Sequence, residues 1–217
     1  MHVPDGVLPG SVCVGGYATA GLLTWAALRR INRRPDPAAG VPIASVMTAA
    51  FFVASWIHVP LPPASVHLVL NGLMGVVLGI YALPAILVGL FLQAVMFQHG
   101  GLSTLGVNAT LLGLPALGAA ALYRWPRPPA ARGWRAAVRA FLAGAGALVL
   151  SAGLTVLLVA LTVPGQATSG GRTALLMSLG LAHVPVALIE GVLTAGVVMF
   201  LLRVRPSLLD APTKARP

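Results

Sequence analysis

Long apolar runs broken by short polar or proline-rich punctuation dominate the chain. Ser11 to Ile31 is apolar and ends at Arg29, Arg30, Arg33 and Arg34, ahead of a Pro-rich turn. Val41 to Ile57 forms a second run, stopped by His58-Val59-Pro60-Leu61-Pro62-Pro63. Val66 to Gln98 contains no Lys, Arg, Asp or Glu. As a single helix it would reach about 50 Å, against a hydrocarbon core of about 30 Å. Gly79 to Pro84 is therefore the predicted break, giving a hairpin of two spans. A polar, Gly-rich stretch from His99 to Thr104 leads into the run Gly106 to Tyr123, and a basic segment, Arg124 to Arg139, follows. Phe141 to Val163 and Leu179 to Leu202 complete the set, with Pro164 to Arg172 as the loop between them. The pattern predicts an all-α fold, a polytopic membrane helix bundle of about seven transmembrane helices, with residues 1–217 forming one membrane domain.

Composition agrees and excludes a soluble domain. The 217 residues are 58% hydrophobic and 8% charged, with a mean hydropathy of +0.91, whereas soluble domains carry about 25% charged residues. A net charge of +10 would suggest nucleic acid in a soluble protein, but the placement of the charges points to a membrane. With the hairpin in place, every Lys and Arg except Arg172 falls on one side. The positive-inside rule then sets the N-terminus outside and the C-terminus in the cytoplasm. Residues 1–10 become an outer loop, 124–139 a basic cytoplasmic loop and 203–217 a cytoplasmic tail. One Cys, Cys13, excludes an intrachain disulfide. No Lys or Arg precedes the first apolar run, so a cleaved signal peptide is not expected. The lone lysine, Lys214, leaves no G-x-x-x-x-G-K-[ST] phosphate loop, and there is no H-E-x-x-H.

In this topology His2, His58, His67, His99 and His183 all fall at or near the outer ends of spans, and ionisable groups at membrane depth are usually functional. The opening Met1-His2 offers a chelate. Its α-amine, the deprotonated His2 amide nitrogen and the His2 ring nitrogen close two fused rings around one cation. A second imidazole would fill the fourth corner of such a plane, a geometry suited to Ni(II), Cu(II) or low-spin Co(II). Taken alone, a Met-His start is as compatible with a disordered end. His67 opens a predicted span with Asn71 four residues on, placed on one helical face to orient the ring. Gly72, Gly75 and Gly79 continue that helix with small residues suited to close packing. Asp5 suits a loop held through backbone amides or a plain turn. Glu190, in the outer half of the last span, suits a structural role between helices more than a metal contact.

Three motifs in order carry a resemblance: Met1-His2-Val3-Pro4-Asp5-Gly6, Ser65-Val66-His67-Leu68-Val69-Leu70-Asn71-Gly72-Leu73, and Gln98-His99-Gly100-Gly101-Leu102-Ser103-Thr104-Leu105-Gly106-Val107-Asn108. The chain resembles the CbiM/NikM family along nearly its whole length, including Ala182-His183 and Glu190-Gly191. Members of this family are substrate-capture subunits of energy-coupling factor (ECF) transporters for cobalt and nickel. The resemblance implies a near-planar set of four nitrogens from the Met1 amine, the His2 amide, the His2 imidazole and the His67 imidazole. Asp5, Ser65, Asn71 and His99 are the candidate supporting residues. It also implies Co(II) or Ni(II) as cargo rather than a cofactor, with cobalt serving cobalamin biosynthesis. The implied partners are a transmembrane coupling subunit, cytoplasmic ATPases and a small accessory membrane protein, not fused at the C-terminus, in a prokaryotic plasma membrane. The alternative is a self-sufficient secondary metal carrier or channel, for which Glu190 would be the sole intramembrane acid. Anionic lipid or partner docking would account equally for Arg124 to Arg139.

Overall fold

The computed structural model describes residues 2–61, 64–125, 133–162 and 169–209, with side chains described outside 58–66 and 169–179. The elements in order are α1 (Gly10–Asn32), α2 (Val41–Ala54), β1 (His58–Leu61), β2 (Ala64–His67), α3 (Asn71–Leu78) and a 3-10 turn (Gly79–Tyr81). They continue with α4 (Ala82–Phe97), α5 (Leu105–Arg124), α6 (Trp134–Thr162), α7 (Ser169–Val204) and a second 3-10 turn (Pro206–Leu208). Five stretches are long and apolar enough to cross a membrane: α1, Asn71–Phe97, α5, α6 and Gly180–Val204. Together they make the chain a multi-pass membrane protein. Large apolar side chains such as Val14, Leu22 and Trp25 on α1 and Leu150, Leu157 and Leu161 on α6 are exposed on the outside. That is the inverse of a soluble surface.

The boundaries differ from the sequence expectation in instructive places. The fold is not purely helical, because β1 and β2 pair antiparallel with His58 opposite His67. His67 therefore ends a strand instead of opening a helix, and the one-face relation to Asn71 does not hold. The expected basic loop 124–139 is shorter, since Arg124 closes α5 and Arg135 and Arg139 lie in the first turns of α6. Helix α7 begins at Ser169, within the expected Pro164–Arg172 loop. Met1, Arg127, Arg132, Lys214 and Arg216 lie outside the described residues.

The reversal at Gly79 is present. His67 before α3 and His99 after α4 touch, so the chain between them doubles back. Gly79 makes the turn with φ +58°, a conformation open to Gly at little cost. The two arms are unequal: α3 has eight residues, about 12 Å, and α4 has sixteen, about 24 Å. Helix α3 is thus a half-length helix, and all eight of its residues are buried. It is inserted among α5, α6 and α7 through small residues. A Cβ on Gly75 would fall onto the Ala116 carbonyl of α5, and one on Gly72 would meet the backbone of Gly144 in α6. Charged side chains meet both ends of α3. The Glu190 carboxylate of α7 accepts hydrogen bonds from the amides of Val69 and Leu70 just before it. The Arg124 guanidinium donates to the Val76 carbonyl in its last turn (2.8 Å). Acid at the N-terminus and base at the C-terminus are the signs that the helix dipole favours.

A three-histidine cluster under an N-terminal strap

Residues 2–9 form a strap across the end of the bundle where α4 finishes and α5 begins. Its grip is side-chain recognition of backbone in both directions, the 99–108 segment reading Val3 and Asp5 reading that segment. Asn108 reads Val3 from both sides, its Oδ1 accepting from the Val3 amide (2.9 Å) and its Nδ2 donating to the Val3 carbonyl (3.0 Å). Thr104 Oγ1 donates to the same carbonyl at 2.6 Å. Further out, the Asp5 carboxylate accepts from the amides of Leu102 (3.2 Å) and Ser103 (2.9 Å) and from the Ser103 hydroxyl (2.5 Å). The Ser103 hydroxyl, followed by these amides, holds the Asp5 carboxyl below its ordinary pKa. Gly101 is obligatory beneath it, because a Cβ there would collide with the Asp5 carboxylate. Val3 and Leu8 bury apolar surface against Cys13, Val107 and Leu111 in a small cluster separate from the main core. The strap delivers His2 inward.

His2 meets His67, at the end of β2, and His99, just past the left-handed cap of α4 at Gln98 (φ 53°). The ring centroids of His2 and His99, and of His67 and His99, are 4.7 Å apart, and those of His2 and His67 are 5.2 Å apart. One nitrogen from each ring lies within 4.8 Å of the others, a spacing that one transition-metal ion can bridge. Both ring nitrogens of His2 are buried without a hydrogen-bond partner, and a buried polar group in that state costs free energy unless something binds it. Burial, then the N-terminal ammonium and the adjoining His67 and His99 rings, lowers the His2 pKa well below 6.5. The ring is therefore neutral, as a metal ligand must be.

The tautomers follow from the partners. His67 Nδ1 lies 2.8 Å from the Leu68 carbonyl, which can only accept, so Nδ1 carries the proton and Nε2 presents a lone pair. His99 Nε2 lies 3.1 Å from that Nε2 and donates to it. A proton of His99 thus points at the lone pair by which His67 would bind a metal. His99, expected as a supporting residue, stands among the three rings.

Other sequence candidates are placed differently. Asn71 does not orient His67: its Nδ2 donates to the Leu112 carbonyl (3.2 Å) and the Ser151 hydroxyl (2.8 Å), and its Oδ1 has no partner. Ser65 lies opposite Pro60 in the hairpin, and its side chain is outside the described set, as is that of His58. His183 is buried on α7. Asp5 holds the strap through backbone amides. Asn108 and Thr104 went unassigned, although both stand in the motif that begins at Gln98, and Glu190's partners lie in a segment 120 residues away.

A strap-covered histidine cluster inside a helical membrane bundle is the architecture of a metal-handling membrane protein. Residues 2–208 match the family described as the cobalt uptake substrate-specific transmembrane region, CbiM, and the chain belongs to that family. Its members are membrane metal-transport proteins, not enzymes. The chain is 33% identical over 219 residues to the cobalt transport protein CbiM of Sorangium cellulosum, covering 97% of this chain and 95% of that relative. It is 30% identical over 228 residues to the fused nickel transport protein NikMN of Rhodobacter capsulatus, covering 99% of this chain and 65% of that protein. In fold it is similar to a transition metal transporter of known crystal structure, with a TM-score of 0.80, 23% identity, and coverage of 94% of this chain and 93% of the other.

Proposed function

We propose that this protein is the substrate-capture subunit of an ATP-driven ECF-type importer and takes up Co(II) or Ni(II) beneath the strap. The observation that carries this reading is the His2 ring, buried with both nitrogens unsatisfied against His67 and His99. The ligands are the Met1 amine, the His2 amide and imidazole nitrogens and the His67 Nε2, in a near-planar set. His99 withdraws its proton from His67 Nε2 as the ion arrives. Asp5, Thr104 and Asn108 set the depth to which the strap carries His2.

The membrane arrangement completes the proposal. Seven crossings include α2 and both arms of the hairpin at Gly79, the short arm being extended outward by residues 64–70. Irregular backbone at that depth is tolerated only where protein buries and satisfies it, as the Glu190 bonds do here. The N-terminus lies outside and Arg29, Arg34, Arg124, Arg135, Arg139 and Arg203 lie on the cytoplasmic side of the plasma membrane. A coupling subunit, paired ATPases and a small accessory membrane protein supply energy and release. The fused relative, of which this chain spans 65%, supports a partner encoded with or beside such a chain.

Equilibrium dialysis with Co(II) and Ni(II) tests the site on the native start and on a chain lengthened by one residue ahead of Met1. The lengthened chain binds more than tenfold more weakly, about 1.4 kcal/mol; equal affinity removes the amine from the ligand set. Concentrative uptake into proteoliposomes by the chain alone would replace the capture subunit with a self-sufficient carrier.

A further inference from the structure

Glu190 does more in this geometry than close the end of a helix. The amide N–H of Val69 and the carbonyl of Leu68 belong to one peptide group. The Glu190 carboxylate accepts from that N–H, while the carbonyl on the other side of the same group accepts from His67 Nδ1 at 2.8 Å. The next amide, Leu70, donates to both carboxylate oxygens at 2.7 and 2.9 Å, so the acid is locked in place with both oxygens engaged. It is fully buried. Leu70 holds a left-handed φ of 56°, uncommon for a non-glycine residue and sustained only where its surroundings over-determine it. That left-handed residue turns the chain into α3 directly after the two amides that meet the carboxylate.

We propose that Glu190, the Leu68–Val69 peptide group and His67 form a carboxylate–peptide–imidazole relay, making Glu190 the positioning residue for the metal-facing His67 Nε2. Hydrogen bonds in a chain polarise one another. A negative oxygen on the N–H side strengthens the carbonyl as an acceptor, which fixes the Nδ1–H tautomer and adds electron density at Nε2. Direct carboxylate–histidine–metal arrangements do the same; here a peptide group is interposed. The inference rests on the metal reading of the cluster, and its tests separate the two.

With the metal-free native chain labelled in its histidines with nitrogen-15, NMR reports the His67 tautomer. The relay requires Nδ1–H alone, and an Nε2–H tautomer overturns it whether or not metal binds. Glu190→Gln keeps the size and one acceptor but removes the charge. It is expected to weaken Co(II) and Ni(II) binding by roughly 10- to 100-fold, as lost outer hydrogen bonds to metal ligands do. The ligand-field band of bound Ni(II) also moves to lower energy. A folded Glu190→Gln chain with parental affinity and band would mean that the acid only caps α3. If Glu190→Gln does not fold, the tautomer in the native chain decides. Failure of the native chain to bind either ion would instead sink the metal reading.

Discussion

His2 and His67 arrive at the same point on mounts of opposite character. His2 rides on an eight-residue strap, fastened to another segment by side-chain-to-backbone bonds in both directions, with Val3 and Leu8 packed on Cys13, Val107 and Leu111. His67 ends a strand whose continuation is buried on every side and tied by a carboxylate to the centre of the bundle. The first mount can detach without disturbing the core, because its apolar contacts form a small cluster separate from it and its Asp5 bonds face solvent, conditions under which local opening is cheap. The second cannot move unless α3 moves. The difference separates two tasks, a removable half that admits the ion and a fixed half that defines where it stops.

The sharpest way to break this comparison is to remove the fixed half. His67→Ala should lower metal affinity at least 100-fold, about 2.7 kcal/mol, by dialysis, while amide exchange in the strap stays as in the parent. Equal losses from His58→Ala would mean that the wrong ring has been named as the fixed ligand. Loosening the movable half has a smaller effect. Asn108→Ala removes two bonds to Val3; the carbonyl keeps Thr104 Oγ1, but the buried amide is left unsatisfied, at about 1–3 kcal/mol. It should weaken binding about tenfold, mainly through faster metal release in stopped flow, with exchange rising at Val3 but not at Met74. Exchange that rises equally at both residues would show that strap and core open as one unit.

Acidity gives the smallest and most graded effect. The docked strap holds His2 below its ordinary value of 6.5, whereas an undocked His2 titrates near that value, so the undocked state binds more protons. Docking is therefore complete above about pH 6.5 and weakens as pH falls from there toward the lowered value. Strap exchange should accelerate across that window in the metal-free protein. A flat profile from pH 7 to 5 would place His2 in water.

The apolar runs were legible because spans must be long and uncharged, and the Gly79 turn because a run of that length cannot stay single. The strands β1 and β2 were not legible: four residues each, with Pro60 in one and Pro62-Pro63 between them, they show neither an alternation long enough nor a turn that marks a hairpin. Misreading that stretch as the head of a helix gave Asn71 its wrong partner. The start of α6 was not legible because Trp134 to Arg139 is helical yet charged, so hydropathy marks the span and not the helix. Glu190 read only as a structural acid, since its purpose lies in two backbone amides that no side-chain pattern announces. His99 was visible as a motif residue, but its place among the rings depends on the left-handed turn at Gln98.

Cys13, the one thiol in the sequence, is buried beneath the strap against Val3 and Leu8. Sulfur so placed gives the molecule a native reporter of its own gate. While the strap is docked, Cys13 is buried from an alkylating reagent, and each undocking event exposes it. The rate of Cys13 labelling at saturating reagent therefore counts strap openings directly, with no probe introduced. A bound ion that pins His2 lengthens the interval between them.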